Sequence, residues 1–196
     1  MKSIPLVAGI SLITPERLEN LCNAAMATFN VPGDMAELGC YRGGSALVLA
    51  DLNPSKPLHL FDTFTGLPFT ESKRYNPCNH DLSEGRFACQ ESEVRNLLGD
   101  RNVLFHAGIF PQSASGLESI EFSFVHVDCD IYVSARAAID WFWPRLNRGG
   151  IMFFDDYSCD FTGVTDAVHE SFRDDSIIRQ TERSNGIKIG CFVVKN

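Results

Sequence analysis

Three aspartates at the ends of two apolar runs are the residues best placed to do chemistry. Asp128 closes the run 122–128, and Asp155-Asp156 close the run 150–155, 27 residues on. If the two runs are neighbouring strands, about 5 Å apart, the carboxylates meet at one point. Clustered carboxylates repel and push one another's pKa values upward. A hard divalent cation resolves this, and Mg2+ takes a few carboxylates together with water and substrate oxygens. The competing reading is that Asp155-Asp156 caps the next loop. The turn Glu37-Leu38-Gly39-Cys40-Tyr41-Arg42-Gly43-Gly44-Ser45 is rich in glycine. Glycines permit positive φ and close approach of a ligand, and free N–H groups at a helix start favour an anion such as a carboxylate. Asp62 ends another apolar run, 23 residues after Gly39. An acid in that place accepts hydrogen bonds from ribose hydroxyls; a helix cap or a surface acid is the alternative.

Candidates for a general base are Asp128 and Asp130, with His80 as the rival from a polar loop; a solvated loop histidine is the other reading of His80. His169, between Val168 and Phe172 on an expected helix, reads as structural. His106 and His126 fall in expected strands. Trp141-Phe142-Trp143 reads as packing, and Arg42 meets either a cofactor carboxylate or an acid on its helix.

Positioning these residues takes a parallel sheet. Thr14-Pro15 reads as an N-cap followed by Pro at the first helical position. Leu18, Leu21, Cys22, Ala25, Met26 and Phe29 then form one apolar helix face, ended by Pro32-Gly33. Strands are expected at 34–38, 57–62, 102–106, 122–128 and 150–155, and helices at 43–53, 91–99, 133–146 and 164–173. Several strands are short apolar runs, as strands covered on both faces are. Two runs, 176–183 and 187–194, flank Ser184-Asn185-Gly186 and predict a terminal antiparallel hairpin. The pattern implies a three-layer α/β/α sandwich around one sheet. It reads as a single domain over 1–196, with an N-terminal helical cap at 1–31 and an active-site lid at 65–90. In such a sheet ligands bind beyond the carboxyl ends of the strands, where the glycine turn, Asp62, Gly108-Ile109-Phe110, Asp128 and Asp155-Asp156 all fall.

Composition limits the partners. With 17 basic against 25 acidic residues the net charge is −8, which disfavours nucleic acid. No run of about 18 apolar residues exists to span a membrane. No secretory leader is read at the N-terminus. Seven cysteines without a C-x-x-C pair suit a reducing cytoplasm. Nothing in the sequence sets the oligomeric state, and a homo-oligomer is compatible with it.

The segment Glu37-Leu38-Gly39-x-Tyr41-x-Gly43-x-Ser45 resembles motif I of class I S-adenosylmethionine-dependent methyltransferases. More closely, the chain resembles the macrocin O-methyltransferase family of antibiotic-sugar methylating enzymes. The resemblance rests on that run with Phe61-Asp62-Thr63-Phe64-Thr65-Gly66-Leu67-Pro68, residues 85–98 and Gly108-Ile109-Phe110-Pro111. It continues through Val127-Asp128-Cys129-Asp130-Ile131-Tyr132, Asp155-Asp156-Tyr157 and residues 163–168, collinear over about 20–194. The resemblance implies a Rossmann-like class I methyltransferase fold. Its seven-stranded, mostly parallel sheet has the order 3-2-1-4-5-7-6, with strand 7 antiparallel. It further implies that S-adenosyl-L-methionine is held by Glu37, Gly39, Tyr41, Gly43, Ser45, Asp62, Ile109 and Phe110. Asp128, Asp155 and Asp156 would bind Mg2+ or another divalent cation. The implied activity is O-methylation of a hydroxyl on a small molecule: a sugar or natural product, or else a catechol-like phenol or capsular glycan.

One departure stands out. Related catechol-type enzymes carry a lysine base three residues after the first metal aspartate, and this chain has Ile131 there. The rivals are a catalytically silent S-adenosylmethionine-binding module and a nucleotide-cofactor oxidoreductase. The latter is disfavoured by the missing G-x-G-x-x-G. An aspartyl phosphatase would place D-x-D on its first strand, and a glycosyltransferase would need a longer chain.

Overall fold

The computed structural model describes residues 7, 9–157, 162–172, 178–182 and 188–196. Thr14 starts the first helix as its sequence indicates. Its backbone is extended, its Oγ1 accepts from the Arg17 N–H, and Pro15 opens α1 (Pro15–Ala27). Leu18, Leu21, Cys22 and Ala25 are buried. The helix stops before Pro32-Gly33, because Thr28 turns its hydroxyl back onto the Ala25 carbonyl.

Six strands and four helices follow: β1 (Asp34–Leu38), α2 (Gly44–Leu52), β2 (Leu58–Asp62), α3 (Glu91–Leu98), β3 (Val103–Ala107), β4 (Phe122–Val127), α4 (Tyr132–Phe142), β5 (Leu146–Phe154), α5 (Thr162–Ser171) and β6 (Ile178–Glu182), closed by a seventh strand, β7 (Lys188–Val194). α4 ends earlier than its apolar pattern predicts. Pro144 has no N–H to continue the ladder, and Trp143–Arg145 tighten into a 3-10 turn. β5 begins four residues earlier than predicted, because its Gly149 and Gly150 pair with the Lys195 main chain. The turn expected at Ser184-Asn185-Gly186 lies outside the described residues, as does Cys159.

The sheet order is β3-β2-β1-β4-β5-β7-β6. β1 pairs in parallel with both β2 and β4, β4 with β5, and β7 runs antiparallel between β5 and β6. This is the three-layer sandwich the sequence implies. α1, α2 and α3 cover one face through Met35, Leu60, Phe124 and Phe153. α4 and α5 cover the other through Ala36, Phe61, Val125 and Phe154. On that second face Trp141 and Phe142 interlock with Phe61, Phe110 and Phe122. The Phe110 ring lies parallel to Phe142 at 5.1 Å, so the Trp-Phe-Trp run is packing.

His106 on β3 stacks on buried His59 of β2, with His106 Nε2 and His59 Nδ1 2.9 Å apart. His59 Nε2 lies 3.0 Å from Asp34 Oδ2. Burial, and then the neighbouring His59, lower the His106 pKa below its ordinary 6.5. The folded chain therefore resists a proton that the unfolded chain accepts, and this pair loses stability as pH falls through about 6.5. Urea unfolding of wild type and His106→Phe should show the variant gaining on wild type between pH 7.5 and 5.5. A pH-independent difference would refute this account.

Candidate active site

The order of the strands reverses between β1 and β4, so a crevice opens beyond their carboxyl ends. A cleft of about 510 Å3 occupies it, within the range of small-molecule sites. Gly39, Cys40, Tyr41 and Ser45 line it from the β1–α2 turn; Asp62 and Thr63 follow β2, and Gly108, Ile109 and Phe110 follow β3. Asp128 and Asp130 enter from the end of β4, and Asp155 and Asp156 from the end of β5.

Asp62 organises the glycine turn. Its Oδ2 accepts from the Cys40 and Tyr41 N–H groups at 2.8 and 3.1 Å, and its Oδ1 accepts from Phe64 N at 2.8 Å. Tyr41 and Phe64 are non-glycine residues in the left-handed region, at φ 48° and 58°. Each costs about 1 kcal/mol or more and is held by surrounding structure. One carboxylate thus fixes two strained turns while still facing the cleft. Gly39 has φ +84°, and a Cβ there would lie 1.8 Å from the Asp128 carbonyl oxygen.

The acidic side is a true cluster. One oxygen from each of Asp128, Asp155 and Asp156 lies within 4.8 Å of the others. Burial first, and then its acidic neighbours, hold Asp128 and Asp130 well above the usual carboxylate range. Asp156 is pushed up to about 6, by burial and then by Asp155. Asp130 is also left-handed, at φ 60°, and its N–H donates to Asp156 Oδ2 at 3.1 Å. All-oxygen anionic donors at this spacing fit a hard divalent cation.

The sequence did not single out Arg17. Its Nε donates to Asp155 Oδ1 at 3.0 Å, and its Nη2 donates to Asp155 Oδ2 and to the Asp155 carbonyl. Burial would lower its pKa, but Asp155, Asp156 and Asp128 outweigh that and raise it. One signal was available. A cation in the first turn opposes the helix dipole, so it needs a partner elsewhere in the fold.

Several expected site residues lie elsewhere. Glu37 does not line the cleft. It sits one residue before the strand end, on the face opposite to Leu38, and its Oε1 meets His126 Nδ1 at 2.8 Å in full burial. Gly43 is also off the cleft; a Cβ there would meet Val94 of α3 at 2.9 Å, so this glycine serves packing. His80 is exposed and off the cleft. Asn76 holds its backbone at both ends, through His80 N and O, so the loop fold turns this residue outward. Arg42 is exposed, with its guanidinium 5.2 Å from the Tyr41 ring centre. His169 bonds Tyr157. The 65–90 loop contributes Gly66, Leu67, Pro68, Phe69 and Phe87 to the cleft wall, anchored by Leu67 and Leu82 packing on Ile131.

Parallel sheet, antiparallel β7 and a crevice at the switch point together define a class I methyltransferase fold. The family model described as Macrocin-O-methyltransferase (TylF) matches residues 2–185, and the chain belongs to that family. A relative in Streptomyces olivaceus, 8-demethyl-8-(2,3-dimethoxy-alpha-L-rhamnosyl)-tetracenomycin-C 4'-O-methyltransferase, is 28% identical over 82% of this chain and 66% of its own length. Demethyldecarbamoylnovobiocin O-methyltransferase of Streptomyces niveus is 26% identical over 75% of this chain and 62% of its own. The chain thus spans just under two thirds of these relatives. The solved O-methyltransferase NovP superposes with a TM-score of 0.79 at 23% identity, covering 95% of this chain and 82% of that one. Calicheamicin methyltransferase CalS11 gives 0.73 at 19% identity, covering 98% and 90%. At these identities the two structures attest the fold. Among the described residues no helix is long and apolar enough to cross a membrane.

Proposed function

We propose that this chain is an S-adenosylmethionine-dependent O-methyltransferase that takes its acceptor hydroxyl against the carboxylate cluster. The observation that carries the reading is the single cleft with two chemistries: the Gly39 turn, Asp62 and Ile109 on one side, and Asp128, Asp155 and Asp156 on the other. The relatives' names support a hydroxyl on a sugar or natural product as the acceptor. So do the exposed apolar side chains Phe69 and Val133, which line the cleft and suit an acceptor with an apolar scaffold.

In this reading Gly39, Tyr41 and Ser45 receive the methionine end of the donor, Asp62 its ribose hydroxyls, and Ile109 with Phe110 its adenine. Asp128, Asp155 and Asp156 hold a divalent cation. The donor supplies an activated methyl group, and the cation supplies charge that makes a hydroxyl easier to deprotonate. The Asp130 carboxylate takes the hydroxyl proton. The fixed turns at the ends of β1 and β4 align acceptor oxygen and methyl group, which can lower the barrier by several kcal/mol. The 65–90 loop acts as the lid that keeps water out.

The test is calorimetric titration of S-adenosylhomocysteine, with Mg2+ and with EDTA. Micromolar binding is expected, little changed by EDTA, with no heat from NAD+. Asp62→Ala removes both the ribose acceptor and the anchor of two turns, and should weaken binding by roughly 10²-fold or more. Absence of S-adenosylhomocysteine binding by wild type would overturn the reading.

A further inference from the structure

Ser11, Leu12 and Ile13 form part of the cleft wall, and a Cβ on Gly44 at the start of α2 would stand 2.6 Å from the Ser11 side chain. The helix that follows carries Arg17, whose guanidinium occupies both oxygens of Asp155 and stands 3.7 Å from Asp156 Oδ1. Its helix dipole opposes a cation in the first turn, so the carboxylate cluster is what holds it there.

We propose that Arg17 is the resident counter-ion of the cluster and the latch of the N-terminal segment, and that a divalent cation at Asp128, Asp155 and Asp156 displaces it and frees Ser11–Ile13 from the cleft. The inference rests on the metal-binding reading above. A dication that takes one oxygen from each of Asp128, Asp155 and Asp156 competes for Asp155, both of whose oxygens the Arg17 guanidinium now holds. Cation loading and the Arg17 latch are therefore alternative states.

The experiment measures Mn2+ affinity by the paramagnetic resonance of the free ion, and deuterium exchange of the 10–17 amides with and without Mn2+. Arg17→Gln should bind Mn2+ on the order of tenfold more tightly than wild type. Arg17→Lys, which keeps the charge, should stay close to wild type and covers the case in which the glutamine variant folds poorly. In wild type, Mn2+ should speed exchange of the 10–17 amides; in Arg17→Gln exchange there should be fast from the start and unmoved by Mn2+. Equal or weaker binding by Arg17→Gln, or exchange of the 10–17 amides in wild type that ignores Mn2+, overturns the latch while leaving the metal site standing. No Mn2+ binding by wild type or any variant overturns the metal reading, and the latch with it.

Discussion

Asp156→Asn should lower kcat/KM for methyl transfer by roughly 10²-fold or more, the scale of several kcal/mol of lost charge stabilisation, while S-adenosylhomocysteine affinity stays within about threefold of wild type. The separation follows from geometry. Asparagine keeps an oxygen to accept the Asp130 N–H now bonded at 3.1 Å, so the left-handed Asp130 turn survives, and the donor side is organised by Asp62 instead. Only the third negative charge of the cluster is lost. The same variant has a signature in stability. Asp156 titrates near 6 in the folded chain, raised by burial and then by Asp155. A carboxyl raised on folding contributes stability fully below its unfolded pKa of about 3.9, and that contribution is lost as pH rises through about 6. In EDTA, Asp156→Asn should therefore unfold at higher urea than wild type at pH 7.5, and the gap should close by pH 5. Rates unchanged from wild type, or no gap at pH 7.5, would sink this account of the cluster.

Gly39→Ala should cost about 2–5 kcal/mol of stability. Gly39 sits at φ +84°, and its added methyl would meet the Asp128 carbonyl oxygen at 1.8 Å. Left-handed strain of about 1–2 kcal/mol adds to about 1–3 kcal/mol of overpacking against main chain, out of a total stability of only about 5–15 kcal/mol. Gly116→Ala is the control. Its φ is +88°, with nothing within 4 Å of a new Cβ, so it should lose the backbone term alone. Equal losses in the two variants, read from urea midpoints, would show that close approach to Asp128 does not matter.

Local signals made much of this legible. The Thr14-Pro15 start, the apolar runs of β1 to β5 and the polar residues just past each strand end are near-neighbour patterns, and a parallel sheet turns strand ends into one site without further information. Asp62, Gly39, Asp128, Asp155 and Asp156 were therefore visible by position. What lay beyond reach depends on distant partners. Arg17 finds Asp155 across 138 residues. His80 belongs to a loop with no periodicity, so its outward placement follows from Asn76 and not from spacing. Glu37 is a different failure. Strand alternation separates its side chain from that of Leu38, so period-two counting could have turned it inward; motif resemblance pointed it at the ligand instead.

The contact between Gly39 and Asp128 carries a further consequence. With no side chain between them, the donor turn and the acidic turn abut as bare main chain, so the gap between the methyl source and its target is gauged by the backbone itself. Side-chain substitution has little leverage over such a gauge. A change of acceptor would have to be made where side chains form the wall, as in the 65–90 loop, while the main-chain spacing between the two turns stays as it is.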